Sequence, residues 1–158
     1  MKKITALAAT VLTTATLLSG AASTAQARPL PAEPHPWDKR VHCKETDPAE
    51  RHIVTRFGNS DFGWNHFTHR HNIRNCGIID AAIRGDVDHD DHHGRLEYEG
   101  VAFETGPRPR QVDYVVIVQY TRKTKDGIYD AGRGQKIGVI NAFCRNQPHN
   151  KCPEWMNR

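Results

Sequence analysis

Four cysteines behind an export leader constrain this chain more than any other feature of its sequence. Lys2 and Lys3 precede an apolar, Ala/Leu/Thr-rich run over residues 4–18, and small residues then end in Ala25-Gln26-Ala27. A short positive region, an apolar stretch too short to span a bilayer stably and a small-x-small tripeptide make a secretory signal peptide, 1–27. Cleavage after Ala27 leaves Cys43, Cys76, Cys144 and Cys152 in the mature part. An even number of cysteines in an exported chain reads as disulfides, here two, with three pairings open. The short polar turn around Pro148 favours Cys144–Cys152, leaving Cys43–Cys76 to clip the N-terminal arm to the helical part. A Cys/His zinc site is the competing use of these side chains, but their spacings follow no zinc template. The expected product is a secreted, extracellular domain small enough for its cross-links to matter.

The chain of 158 residues, 37% of them hydrophobic, has room for one domain. Its formal net charge of +4 loses two lysines with the leader, so the mature protein is only mildly basic. Any affinity for nucleic acid must then come from local clusters. No G-x-x-x-x-G-K, G-x-G-x-x-G or C-x-x-C occurs, and no cofactor is expected. Ten histidines are the compositional oddity.

Four prolines (29, 31, 34 and 36) predict an extended arm over 28–42 that does not pack on its own. A single domain follows over 43–158. Asp47-Pro48 predicts a helix start, with Asp as the cap and Pro in the first turn, running to about residue 57. A second short helix is expected over 64–71, entered from Gly63. A third spans 73–84, capped by Asn72 or Asn75, with Ile78, Ile79, Ala82 and Ile83 at helical spacing. Residues 86–94 (DVDHDDHHG) read as an acidic, His-rich loop. Beyond Gly94 the period changes to two, giving strands over 96–103, 112–121 and 136–144; the run VDYVVIVQYT is the most strand-like of them. Residues 123–135 form a long loop with three glycines. Helices first and strands second predict an α+β fold, short N-terminal helices on one face of an antiparallel, roughly four-stranded sheet.

The densest chemistry lies in Gly63-Trp64-Asn65-His66-Phe67-Thr68-His69-Arg70-His71-Asn72. On a helix His66 and Arg70 share a face, with His69 beside them and His71 about 140° away from His66. Imidazoles move protons near neutrality, and a guanidinium is a fixed cation suited to phosphate oxygens. Metal-free RNA cleavage needs those tools: a base for the ribose 2′-OH, an acid for the leaving 5′-oxygen, and a cation for the charge between them.

The segment FGWNHFTHRHNI, the helix after it and the strand GVINAF together resemble the toxin ribonucleases of the barnase–EndoU–colicin–RelE superfamily. They are most similar to the nuclease domains of bacterial polymorphic and contact-dependent inhibition toxins. Gly63, His66, Phe67, Arg70 and His71 fit the pattern G-x-x-H-I-x-x-R-H, and residues 139–143 fit V-V-T-A-Y-P as far as its tyrosine. Asn141 replaces the hydroxyl residue, Phe143 the Tyr and Cys144 the Pro. The resemblance implies a helical segment on a four-stranded antiparallel sheet with RNA on the open face. His66 is then expected to carry one proton-transfer role, and His71 the complementary one if the helix frays or ends near Asn72 and lets it swing towards the phosphate. Arg70 would hold the scissile phosphate, and Asn141 would donate a hydrogen bond from the last strand. His69, Lys123, Lys125, Arg133 and Lys136 are the candidate substrate-binding residues, and Tyr120 or Tyr129 could stack a base. A monomer acting on RNA is expected, with a protein inhibitor or immunity protein as the partner that such toxins call for, and no membrane contact after signal removal.

Two other classes compete. One is an exported, non-catalytic His-rich module for metal or another ligand. The other is a metal-dependent nuclease with ligands from 88–93, where carboxylates and imidazoles alternate. A toxin scaffold that has lost its activity is a further alternative.

Overall fold

The β-branched run forms the centre of the sheet. In the computed structural model, which describes residues 36–158, the strand Arg110–Gln119 pairs antiparallel with Arg95–Glu104 on one side and Gly138–Cys144 on the other. In chain order the elements are β1 (Asp38–Thr46), β2 (His52–Gly58), α1 (Trp64–His71), α2 (Cys76–Ile83), β3 (His89–Asp90), β4 (Arg95–Glu104), β5 (Arg110–Gln119) and β6 (Gly138–Cys144). β1 and β2 make a separate antiparallel hairpin, and the main sheet runs in the order β3-β4-β5-β6. The fold is therefore α+β, with short helices and an antiparallel four-stranded sheet, as expected. The fourth strand is the two-residue β3, inside the segment read from sequence as a loop. Among the described residues no helix is long and apolar enough to cross a membrane. Residues 1–27, read from the sequence as a leader, and residues 28–35 of the expected arm lie outside the described residues.

Alternation along the strands decides which side the helices take. Leu96 and Tyr98 of β4 sit opposite Val118 and Val116 of β5, and Tyr114 and Val116 sit opposite Cys144 and Ala142 of β6. All of them are buried, together with Phe67 of α1 and Ile79, Ala82 and Ile83 of α2. Full burial of Ile79 and Ile83 contributes roughly 1.5–3 kcal/mol each, which outweighs the poor intrinsic stability of an eight-residue helix. Asn75 caps α2 by accepting the Gly77 N–H through its side chain. The third helix thus begins at Cys76, not residue 73; Ile73 precedes it and is still fully buried in the core.

Asp47-Pro48 does not begin a helix. Residues 47–51 are the turn of the β1–β2 hairpin, and residues 52–58 are strand. The β-branched series Ile53, Val54, Thr55 wins locally, burying Ile53 and Thr55 in alternation. The Asp47 carboxylate still acts as a cap, but for the turn: it accepts the backbone N–H of Ala49 and Arg51, the Arg51 Nε at 2.6 Å and the Tyr98 hydroxyl at 2.7 Å. Burial alone would raise its pKa; those hydrogen bonds overcome burial and hold it below the usual carboxylate value. The arm also ends earlier than expected. β1 starts at Asp38, and Trp37 packs on Phe62 with ring centroids 5.0 Å apart.

Both disulfides join the expected pairs. Cys43–Cys76 ties β1 to the first residue of α2, and Cys144–Cys152 closes a short loop after β6. The hairpin meets the main sheet at Gly138, whose φ of +90° and missing side chain let β6 approach the Val54 carbonyl; a Cβ there would overlap that oxygen. Arg56, only 6% exposed, spans the same junction, donating to the carbonyls of Lys39 and Lys136 and to the Gln135 side chain.

Candidate active site

α1 is positioned at both ends. At its start, the Gly63 N–H donates to the Ile140 carbonyl of β6 at 2.9 Å, and Gly63 has φ +79°, with the Arg56 carbonyl oxygen 2.9 Å from where a Cβ would stand. Phe67 anchors the inner face in the core. The outer face then carries His66, His69 and Arg70 on successive turns. These three, with Asn59, Ser60 and Asn65, line a shallow depression of about 580 Å³. No carboxylate lines it, so its charge is that of a guanidinium and two imidazoles, which suits an anion. Among the described residues Arg70 has no ion-pair partner.

The two histidines are held in the same way. The ring of His66 hydrogen-bonds through Nδ1 to the Ser60 carbonyl at 2.6 Å, and His69 through Nδ1 to the Asn65 carbonyl at 2.7 Å. A carbonyl oxygen only accepts, so Nδ1 carries the proton in each ring and Nε2 is the atom left for proton traffic. The Ser60 carbonyl is fixed by a tight turn: Asn59 Oδ1 accepts the N–H of Asp61 and Phe62, and the Asn59 N–H donates to the Phe62 carbonyl. Sequence reasoning missed Asn59 and Ser60; Asn-Ser-Asp after Gly58 is a turn signal, but nothing in it announces which ring the turn would orient.

His71 lies behind His66, with ring centroids 5.6 Å apart, and against Phe143 of β6 at 5.7 Å. It is 7% exposed and does not line the depression. α1 does end near Asn72 as expected, but His71 does not swing out. Asn72 ends the helix in the left-handed conformation, the Cys152 N–H donates to the His71 carbonyl, and the Asn72 side chain donates to the Cys152 carbonyl. The His71 Nδ1 is buried with no hydrogen-bond partner among the described residues. Burial pushes its pKa below the ordinary imidazole value and the neighbouring His66 adds to this, while backbone groups of Asn150 and His149 oppose it.

A pH dependence follows from that. The folded chain resists protonation of His71 while the unfolded chain accepts it near pH 6.5, so this contribution to stability is complete above that pH and is lost as the pH falls below it. The melting temperature is expected to fall between pH 7.5 and 5, and His71→Gln to flatten the fall. A slope unchanged by the substitution would show that His71 does not resist protonation.

The other expected site residues are scattered. Asn141 sits on β6 opposite Ile117, two residues before Phe143 on the same face, and its Oδ1 accepts the Ala142 N–H. It is not part of the depression's lining. Lys123 and Lys125 lie 4.0 Å from Asp130 and 3.9 Å from Asp91. Lys136 stands over the Tyr120 ring, and Arg133 is exposed. These four do not line the depression either. The His-rich segment 88–93 does not gather its ligand atoms. Among the described residues one trio, His42, Cys43 and Cys76, brings such atoms within 4.8 Å, and its two sulfurs are spent in a disulfide. No family model, no curated protein and no solved structure matches the chain.

Proposed function

We propose that the chain is a secreted endoribonuclease that cuts RNA through attack of a ribose 2′-OH on the neighbouring phosphate. The supporting observation is the convergence of His66, His69 and Arg70 on one depression without a carboxylate, both rings pinned through Nδ1. One imidazole takes the 2′-OH proton at Nε2 as the new P–O2′ bond forms. The other, protonated, gives a proton to the 5′-oxygen as the P–O5′ bond breaks, leaving a 2′,3′-cyclic phosphate. Arg70 holds the phosphate oxygens with its planar fork. His66 and His69 share the lining of the depression and divide these roles, whereas His71 supports His66 from behind as a neutral, immobile ring. The chemistry is complete with these groups and calls for no metal ion.

The test is incubation of residues 28–158 with total RNA and with DNA of matched length, with and without EDTA, followed by analysis of fragment ends. Cyclic phosphate ends, intact DNA and indifference to EDTA are expected. Loss of cleavage in EDTA, 5′-phosphate ends or equal cleavage of DNA would overturn the reading.

A further inference from the structure

A second pocket of about 460 Å³, within the usual range for small-molecule sites, opens on the other side of the turn that orients His66. Phe62, Tyr129 and Ile140 supply its apolar walls, with the Phe62 and Tyr129 rings 4.6 Å apart and Trp37 packed behind them. Gln119, Arg95 and Lys125 supply polar groups. Asp61 and Asp126 also line it, which suits the pocket to a phosphate less well than the carboxylate-free depression. Apolar walls with donors and acceptors around them suit a flat heterocycle with polar edges.

The turn couples this pocket to the depression. Asn59 and Ser60 face the depression, and Asp61 and Phe62 face the pocket. Asn59 Nδ2 donates to the Tyr129 hydroxyl at 3.2 Å, which in turn donates to Asp61 at 2.5 Å. A group held against Tyr129 and Phe62 therefore presses on the same four residues whose Ser60 carbonyl fixes the His66 ring. Building on the ribonuclease reading, we infer that this pocket takes a nucleobase next to the scissile phosphate, read by Gln119 and Arg95, and that its occupancy steadies His66.

The experiment is a titration of the ¹⁵N-labelled protein with the four nucleoside 3′-monophosphates and with ribose 5-phosphate, which carries no base. At least one nucleotide is expected to shift the Gln119 side-chain amide and the Tyr129 backbone resonance in a saturable way, with the His66 ring responding. Ribose 5-phosphate is expected to leave the Gln119 and Tyr129 signals in place. Gln119→Leu, close in shape, is expected to weaken nucleotide binding about tenfold or more. If that variant does not fold, the wild-type shifts decide alone. Pocket signals unmoved by all four nucleotides at millimolar concentration, or moved equally by ribose 5-phosphate, overturn the inference. RNA cut by a protein whose pocket signals never move leaves the nuclease reading standing without the base site. Saturable base binding in a protein that leaves RNA intact supports the pocket and sinks the nuclease.

Discussion

Under reducing conditions the domain is expected to lose its cooperative thermal transition near 37 °C. Cys43–Cys76 closes a separation of 33 residues and Cys144–Cys152 one of 8. In the chain-entropy treatment these links contribute about 3.7 and about 2.5 kcal/mol, about 6 kcal/mol together. A domain of this size is stable by roughly 5–15 kcal/mol in all, so the cross-links account for a large part of the total. The longer link joins the hairpin to α2, a junction that the Arg84–Glu45 ion pair also spans, and α2 meets the sheet through a short apolar stripe and the Tyr114 hydroxyl on the Ile78 carbonyl. Circular dichroism melts with and without reductant measure the effect. A shift of only a few degrees would mean that the apolar core alone holds the two helices in place.

His66→Ala is expected to slow RNA cleavage by about a hundredfold or more, about 2.7 kcal/mol in barrier height. The ring is half-buried at the depression and is not part of the apolar core, so the melting temperature should stay close to wild type. Arg70→Lys keeps the charge and loses the two-pronged contact, and a smaller loss is expected of it. His71→Gln should behave differently again, changing stability with pH more than the rate. Wild-type turnover by His66→Ala would remove the imidazole from the reaction and leave the depression without a chemical role.

The fold was legible where the chain repeats a period over many residues. The run at 112–121 is β-branched and aromatic throughout, and no helix buries such a face, so β5 could be read directly. The hairpin was not, because Asp47-Pro48 carries a genuine helix-start signal. Its carboxylate serves a turn instead, through the Ala49 and Arg51 N–H groups, and is held there by the Tyr98 hydroxyl fifty-one residues downstream. The face shared by His66, His69 and Arg70 followed from helical spacing alone. What spacing cannot show is accessibility. His71 is one residue past Arg70, yet the Cys152 N–H and the Phe143 ring enclose it, and both come from the far end of the chain. The same holds for the Ser60 carbonyl and the Phe62–Tyr129 pocket, which exist only once distant segments meet.

The junction between the two helices has a consequence for the order of assembly. The Asn157 side chain donates to the Asn72 carbonyl and accepts the Arg74 N–H, while Glu154 pairs with Arg74 and with the Asn72 amide. Apart from the local bond from the Thr68 hydroxyl to the Ile73 carbonyl, these contacts at the end of α1 arrive about eighty residues after α1 itself. A chain emerging from its N-terminus can form the hairpin and the helices early, but it cannot lock the angle between the helices until Asn157 is out. The angle between α1 and α2 thus sets only once residues 152–157 have joined the fold, whatever the order in which the earlier elements form.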